Sequence, residues 1–220
     1  MLFGVHVMQS RYAVLLADVI ASGRQRRLQN ILGEKLRAAS QVHMKNGWIR
    51  APYAVTAGDE FQTVATRPAM APEILLDLRH RMRPLQLRMA IGVGAIDGAV
   101  RAPVNRMQGE AFVRARRAMD ALKSGMLHKY PALTAFHTGQ TSLDEIANLI
   151  YGLSDTLLRA VTAKQWRAME AYFAKGQVRL AARALRLDPS TVSRRLSRGH
   201  YWQLAETAEA MKRLLQSEFH

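Results

Sequence analysis

Apolar residues recur along the chain with two different periods, and the alternation of these periods predicts an α+β fold. Tyr12–Val19 is a nearly continuous apolar run of the length expected for a buried central strand. Residues 25–43 then carry apolar side chains at every third or fourth position, with charges between them. This spacing places the apolar side chains on one face of an amphipathic helix.

The same alternation continues to about residue 137. It predicts, in order, two antiparallel strands within 48–66 with a tight turn at Gly58-Asp59, a helix at 68–82, a strand at 85–96, a helix at 109–123 and a short strand at 133–137. This order fits a ferredoxin-like, split βαβ sheet that is covered on one face by helices. Gly92 and Gly94 lie inside the strand at 85–96, which indicates either a close approach of another backbone or a bulge.

From residue 138 onward the apolar period is helical throughout. Residues 142–145 and 162–165 have the spacing of capping boxes, in which a hydroxyl and a carboxylate or amide satisfy free N–H groups at a helix start. A closing helix is predicted at 201–219. We therefore expect two domains, an α+β domain over residues 1–137 and an all-α domain over residues 138–220.

Within the helical domain, residues 177–198 have the pattern of a helix-turn-helix. The apolar face predicted for the first helix consists of Leu180, Ala181, Ala184 and Leu185. Residues 186–188 form the turn, and Asp188 followed by Pro189 is a favourable start for the second helix. Val192 and Leu196 are four positions apart, so both are expected to point inward.

The other face of this second helix carries small hydroxyls and arginines, which suit the major groove of DNA. Hydroxyls reach phosphates and base edges, and an arginine can take a guanine in two hydrogen bonds. The residues assigned to DNA contact are Gln177, Ser190, Thr191, Ser193, Arg194 and Arg198. The alternative is an ordinary helical hairpin with a solvated basic face. Arg186 stands in the turn where such motifs often carry glycine.

Charge supports an anionic partner. The 220 residues include 32 Lys or Arg against 17 Asp or Glu, a formal net charge of +15. We expect double-stranded DNA first and a membrane surface second. The chain has no cysteine, which excludes disulfides and thiolate metal sites. Residues 1–10 are mostly apolar but too short to span a bilayer, so we expect a cytoplasmic protein without a membrane segment.

Four motifs in the first domain together resemble the SatD family. They are LADVIAS at 16–22, AGDEFQ at 57–62, RMAIGVGAI at 88–96 and GEAFVRARRA at 109–118. That family is similar to the palm-type domain of class III nucleotidyl cyclases and GGDEF-type diguanylate cyclases. Its members often end in a helix-turn-helix that resembles region 4 of sigma factors.

The resemblance implies a metal–nucleotide site. Asp18 ends one strand and Asp59 lies in the hairpin turn, so their carboxylates would converge. They would hold Mg²⁺ on a nucleoside triphosphate, and Glu60 would support the metal. Arg117 matches the arginine that cyclases place near the phosphates. In the alternative, Asp18 caps the turn into the next helix and Asp59 only belongs to a hairpin.

The sequence departs from the cyclase pattern where the substrate would be oriented. Val113 replaces the expected asparagine, and no lysine lies between Lys45 and Lys123. No residue is therefore assigned a catalytic role. We expect a DNA-binding, transcription-regulatory protein whose first domain senses a ligand, with a nucleotide as the candidate, or mediates assembly. The closing helix at 201–219 is a candidate contact for a homodimer. The alternatives are a metal-dependent nucleotidyl cyclase or nucleotidyltransferase with a DNA-binding module, and a protein whose basic face binds another acidic partner.

Overall fold

The computed structural model describes residues 10–20 and 26–219. The turn between Asp18 and the next helix and the apolar stretch at residues 1–10 lie almost wholly outside these ranges. The elements are β1 (Tyr12–Val19), α1 (Arg26–Lys45), β2 (Ala54–Ala57), β3 (Glu60–Ala65), α2 (Ala71–Arg81), β4 (Leu87–Gly94), α3 (Glu110–Ser124), β5 (Thr134–His137), α4 (Thr141–Arg159), α5 (Ala163–Lys175), α6 (Val178–Leu185), α7 (Pro189–Arg198) and α8 (Tyr201–Glu218).

The five strands form one mixed sheet, and the α+β prediction is confirmed. The strand order is β2-β3-β1-β4-β5. β1 lies at the centre and pairs antiparallel with β3 and β4, whereas β5 pairs parallel with β4 after the crossover through α3. The first four strands therefore have the split βαβ arrangement, and β5 is an addition at one edge.

Helices cover both faces of the sheet, whereas the sequence predicted one covered face. Alternate residues of β1 point to opposite sides. Leu15 and Ala17 join a core with α1, α2, α4 and α8, while Val14 and Leu16 join a core with α3. The burial of Ala13 to Val19 in β1 follows from this double cover, because neither side of this part of the central strand meets water.

Gly92 allows α3 to lie directly on β4. A Cβ built on Gly92 would come 2.1 Å from the backbone nitrogen of Ala115 and 2.2 Å from the carbonyl oxygen of Ala111. No side chain fits such a gap, so the interior of this strand must carry glycine where the helix crosses it. The glycines predicted either a close backbone approach or a bulge, and at Gly92 the close approach is observed.

The predicted capping box at residues 142–145 is wrong. The N-cap of α4 is Gln140, two residues before the predicted N-cap Ser142, and no side chain caps the start of the helix. Asp144 instead accepts hydrogen bonds from the backbone N–H and the hydroxyl of Thr138, at 2.6 and 2.7 Å. The carboxylate thus ties the helix to the end of β5. The other predicted box, Thr162 with Gln165, is confirmed at the start of α5.

α4 follows the predicted domain boundary and packs on the sheet. Asn148 binds both the N–H and the carbonyl of Phe136 in β5. Asp155 accepts a hydrogen bond from the N–H of Leu133 and forms an ion pair with Arg79 of α2. A helix that is bonded to the edge strand through two side chains is part of the same layered structure.

α8 connects the two groups of helices. Its first half contributes Tyr201 and Leu204 to a core with α5, α6 and α7. Its second half contributes Met211 and Leu215 to the core on the sheet, and Lys212 of α8 binds Glu73 of α2 at 2.7 Å. The C-terminal helices are therefore packed on the sheet and not attached by a loose linker.

Candidate nucleic-acid interface and ion-pair site

α6 and α7 are held together by small and apolar side chains. Ala181 and Ala182 of α6 and Val192 and Leu196 of α7 are fully buried in one core with Trp166 and other residues of α5. The predicted burial of Leu180 and Ala184 is wrong, because both are exposed. The two adjacent alanines allow α6 to approach its neighbours closely, and this contact rotates Leu180 out of the core.

The turn between α6 and α7 is short and backbone-bonded. Arg186 has φ of 54° and ψ of 49°, the left-handed region, and the N–H of Leu187 donates to the carbonyl of Ala182. Asp188 occupies the N-cap position as predicted, but its side chain makes no cap hydrogen bond. Its carbonyl accepts from the N–H groups of Thr191 and Val192. The turn thus fixes α7 against α6.

The predicted DNA-contact residues all lie away from the core. Ser190, Ser193, Arg194 and Arg198 are exposed, Thr191 is half-buried, and Arg194 Nη2 lies 3.5 Å from Thr191 Oγ1. We call these five residues the outer face of α7. Gln177 is exposed at the N-cap of α6.

The arginines around this outer face have no acidic partners. Residues 177–198 contain six arginines and one acidic residue, Asp188. In the ranges that the structure describes, none of the six forms an ion pair. Elsewhere in the described chain, Arg79 of α2, Arg88 of β4 and Arg116 of α3 each bind a carboxylate. Residues 177–198 therefore carry six positive charges that no ion pair within the described chain neutralises.

Asp18, the first predicted metal ligand, is buried and held by two cations. One carboxylate oxygen accepts from Arg88 Nε at 3.0 Å, and the other lies 3.0 Å from Lys123 Nζ. Lys123 comes from the last turn of α3, which packs on the face of the sheet to which Asp18 points. Each oxygen of this carboxylate is therefore already paired with a positively charged side chain.

Glu60 belongs to the same cluster. Its carboxylate takes two hydrogen bonds from Arg116 at 2.6 and 2.8 Å, and Lys123 Nζ lies 3.4 Å away. The hydrogen bonds from Arg116 lower the pKa of Glu60 against the opposing effect of burial. Lys123 is thus shared between Asp18 and Glu60.

The structure pairs Asp18 with Glu60, and this follows from the strand register. Ala17 lies opposite Phe61, so the next residues along the antiparallel strands, Asp18 and Glu60, come to lie on the same face. Asp59, the second predicted metal ligand, is half-buried in the hairpin turn. The ranges that the structure describes contain no ion pair to Asp59 and no group of three His, Asp or Glu side chains that could hold a metal ion.

Arg117, the predicted nucleotide-binding residue, is exposed on α3. Its neighbour Arg116 is the one that reaches the carboxylate cluster. Sequence reasoning did not assign Arg88, Arg116 or Lys123 to this site. The only available signal was the run of arginines in α3, because contacts between residues 70 or 105 positions apart leave no local pattern.

The fold and these surfaces define an α+β protein with a split βαβ sheet, onto which a compact group of C-terminal helices is packed. The chain belongs to the SatD family, whose pattern matches residues 12–211. No curated protein matches it. Among solved structures, it is similar to the crystal structure of a regulator of polyketide synthase expression from Bifidobacterium adolescentis, at 16% identity and a TM-score of 0.32 over 94% of this chain and 86% of that one. These values are too low to carry an argument about function.

No helix in residues 10–20 and 26–219 has both the length and the apolar character needed to cross a membrane.

Proposed function

We propose that this SatD-family protein binds duplex DNA through the outer face of α7 and acts in transcription regulation. The observation that carries the proposal is the group of six arginines in residues 177–198, which have no acidic partner in the described part of the chain. Arg79, Arg88 and Arg116, by contrast, each form an internal ion pair. Cations that a fold leaves unpaired on one surface favour a polyanionic partner.

The shape of the helix pair supports the same proposal. α7 has ten residues. A helix with its side chains is about 10–12 Å in diameter, which fits a major groove about 12 Å wide. α6 and α5 lie behind α7 and fix its orientation through buried contacts at Val192 and Leu196. This arrangement supports a helix-turn-helix, in which the second helix enters the groove and the first supports it.

The experiment is a binding titration of the full chain with a labelled pool of random duplexes, followed by selection of preferred sequences. Affinity should fall steeply as salt rises, because counterions are released from the phosphates. Arg194→Ala should weaken binding to a preferred site by about 1–3 kcal/mol if the side chain reads a base. The matched control is Arg37→Ala, an exposed arginine of α1, which should leave affinity unchanged.

Two results would contradict the proposal. One is a full chain that binds no duplex at low salt. The other is an equal loss of affinity in Arg194→Ala and Arg37→Ala, which would show that net charge alone is at work. Binding to an acidic protein but not to duplex DNA would favour the alternative of a protein-interaction surface.

We propose a homodimer as the DNA-binding form, with α4 as the contact between copies. Ile146, Leu149 and Leu153 of α4 are 49%, 53% and 55% exposed and lie along one side of the helix. This stripe carries no charge in a chain of net charge +15, so it is a surface on which two copies meet without strong repulsion. Leu149→Glu should convert a dimer to a monomer in analytical ultracentrifugation. A wild-type chain that is monomeric at all concentrations would reject this part.

A metal-dependent nucleotide site receives less support from the geometry. As arranged, Asp18 and Glu60 do not fit Mg²⁺, because Arg88, Arg116 and Lys123 already neutralise both carboxylates. Binding of Mg²⁺ there, with or without a nucleotide at Arg117, would require Lys123 to move away. We therefore assign no catalytic step to this cluster.

A further inference from the structure

A cavity of about 460 Å³ lies between the end of α3, the segment that follows it and the start of β4. Its charged and titratable lining residues are Arg88, Lys123, Lys129, Arg159 and His128. Among the described residues that line it, none is acidic. A recess that collects cations from four separate parts of the chain is a strongly positive site.

A second cavity of about 240 Å³ lies next to this recess. The two share Leu133 and Arg159, and the second adds Arg79 and Arg83. Its lining, as far as the structure describes the chain, again includes no Asp or Glu. We call the two cavities together the basic trough. Arg159 stands on the wall that they share.

Internal ion pairs neutralise only part of this charge. Arg88 and Lys123 share Asp18, and Arg79 binds Asp155. In the described ranges, Lys129 and Arg159 bind no carboxylate. The guanidinium of Arg83 lies 4.6 Å from the ring centre of Trp166, and its Nε is buried without a hydrogen-bond acceptor. Three cations of the basic trough therefore lack an anionic partner.

We propose that the basic trough binds a small anion that carries one or more phosphate groups. The larger cavity has the volume of a small-molecule site, commonly 300–1,000 Å³. A DNA duplex cannot enter a recess of this size, so the trough differs from the surface proposed for DNA. Guanidinium groups match phosphate oxygens in two-bond geometry, and ammonium groups add point charge. Leu127 and Tyr130 line the same cavity and supply apolar and aromatic surface for the rest of a ligand.

This site is independent of the DNA surface, and the two can fail separately. The trough lies beside the sheet, whereas the proposed DNA residues are on α7. Residue Trp166 of α5 lines the smaller cavity and also belongs to the core that holds α6 and α7. A ligand in the trough would therefore contact the base of the helix group without touching its outer face.

The test uses the full chain and isothermal titration calorimetry with inorganic tripolyphosphate, then with orthophosphate. The double variant Lys129→Gln with Arg159→Gln removes two exposed cations of the trough that make no ion pair in the described ranges. The matched control is Lys45→Gln with Arg37→Gln, which removes the same charge from exposed positions of α1. We expect tripolyphosphate to bind wild type and the control alike, and to bind the trough variant at least tenfold more weakly.

The proposal is overturned if wild type binds neither probe, or if both double variants lose affinity equally, since that result reports net charge alone. DNA titration of the same variants separates the two sites. Unchanged DNA affinity in the trough variant, together with lost tripolyphosphate binding, supports a separate anion site. A parallel loss of DNA and tripolyphosphate binding would mean that these cations belong to the DNA surface, and would reject the small-ligand proposal.

Discussion

Lys123 places a positive charge between two carboxylates that come from neighbouring strands. Its ammonium lies 3.0 Å from Asp18 and 3.4 Å from Glu60. Two buried or half-buried carboxylates on the same face would repel each other without a cation between them. The lysine therefore does for the fold what a bound metal ion would do, at the cost of blocking the site for such an ion.

This role gives a first prediction at the residue scale. Lys123→Gln should raise the affinity for Mg²⁺ or Mn²⁺, because Asp18 and Glu60 then lack their shared cation. Isothermal titration with each metal alone would measure the change, and Lys45→Gln serves as a control that removes one lysine elsewhere. Metal binding by wild type that is equal to or tighter than that of Lys123→Gln would contradict the ion-pair interpretation and revive the predicted Mg²⁺ site.

His80 gives a second prediction, about acid stability. Its ring is buried, stacks on Phe173 at 4.5 Å and leaves Nδ1 without a hydrogen-bond partner. Burial lowers the pKa of His80 to about 4, against the opposing charge of Asp77 and with a smaller contribution from Arg79. The unfolded chain, with a usual pKa near 6.5, then binds the proton first as pH falls.

Stability attributable to His80 is therefore complete above about pH 6.5 and is lost between about pH 6.5 and pH 4. The loss amounts to roughly 3 kcal/mol at pH 4, given 1.36 kcal/mol for each pKa unit. Urea unfolding of wild type and His80→Phe at pH 7.5 and pH 4 should show that the free-energy difference between them changes by about this amount. Parallel pH curves for the two proteins would show that His80 does not titrate in this range.

At the scale of elements, the sequence predicted most helices and strands because each rests on a local apolar period. The buried run of β1, the amphipathic α1 and the two-residue turn before β3 are all encoded within a few neighbouring residues. Contacts between distant residues have no such signal. The pairing of Asp18 with Glu60 depends on strand register, and the sharing of Lys123 depends on where α3 ends. The predicted site residues were therefore near the cluster, but its true members were only partly among them.

The turn between α6 and α7 gives a prediction that isolates backbone strain. Arg186 adopts a left-handed conformation that costs an L-residue about 1–2 kcal/mol and costs glycine little. Arg186→Gly should therefore be more stable than Arg186→Ala by about 1 kcal/mol in urea unfolding. Both variants lose the same side chain, so their difference measures the backbone alone. Equal stabilities would mean that the turn relaxes to another conformation in the variants.

The close contact between β4 and α3 gives a prediction for the replacement of a glycine. Gly92→Ala should destabilise the fold by about 3 kcal/mol or more, because the added carbon meets backbone atoms of α3 that cannot rotate away. Gly33→Ala in α1 is the matched control, since a Cβ there meets nothing within 4 Å. That control should stabilise the helix by about 0.5–1 kcal/mol. Thermal unfolding of the two variants would distinguish the signs.

At the scale of the whole molecule, the predicted boundary at residues 137 and 138 divides the chain where the apolar period becomes helical throughout. The packing crosses that position, since α4 is bonded to β5 and the second half of α8 returns to the sheet. The apolar period of the sequence indicates which elements form, but it does not indicate which of them share a core. The exposed basic face of α7 was predictable because exposure follows from the helical period. The contact of α8 with the sheet was not, because it joins residues more than a hundred positions apart.

The course of α8 through two cores has a consequence for how the protein melts. One half of this helix needs the sheet to be intact, and the other half needs α5, α6 and α7. When either core opens, half of the helix loses its packing partners, and a helix without tertiary contacts is marginal in water. Unfolding of one core therefore destabilises the other. We expect a single peak in differential scanning calorimetry, with equal van't Hoff and calorimetric enthalpies. Two resolved peaks would mean that the chain behaves as separable bodies despite the helix they share.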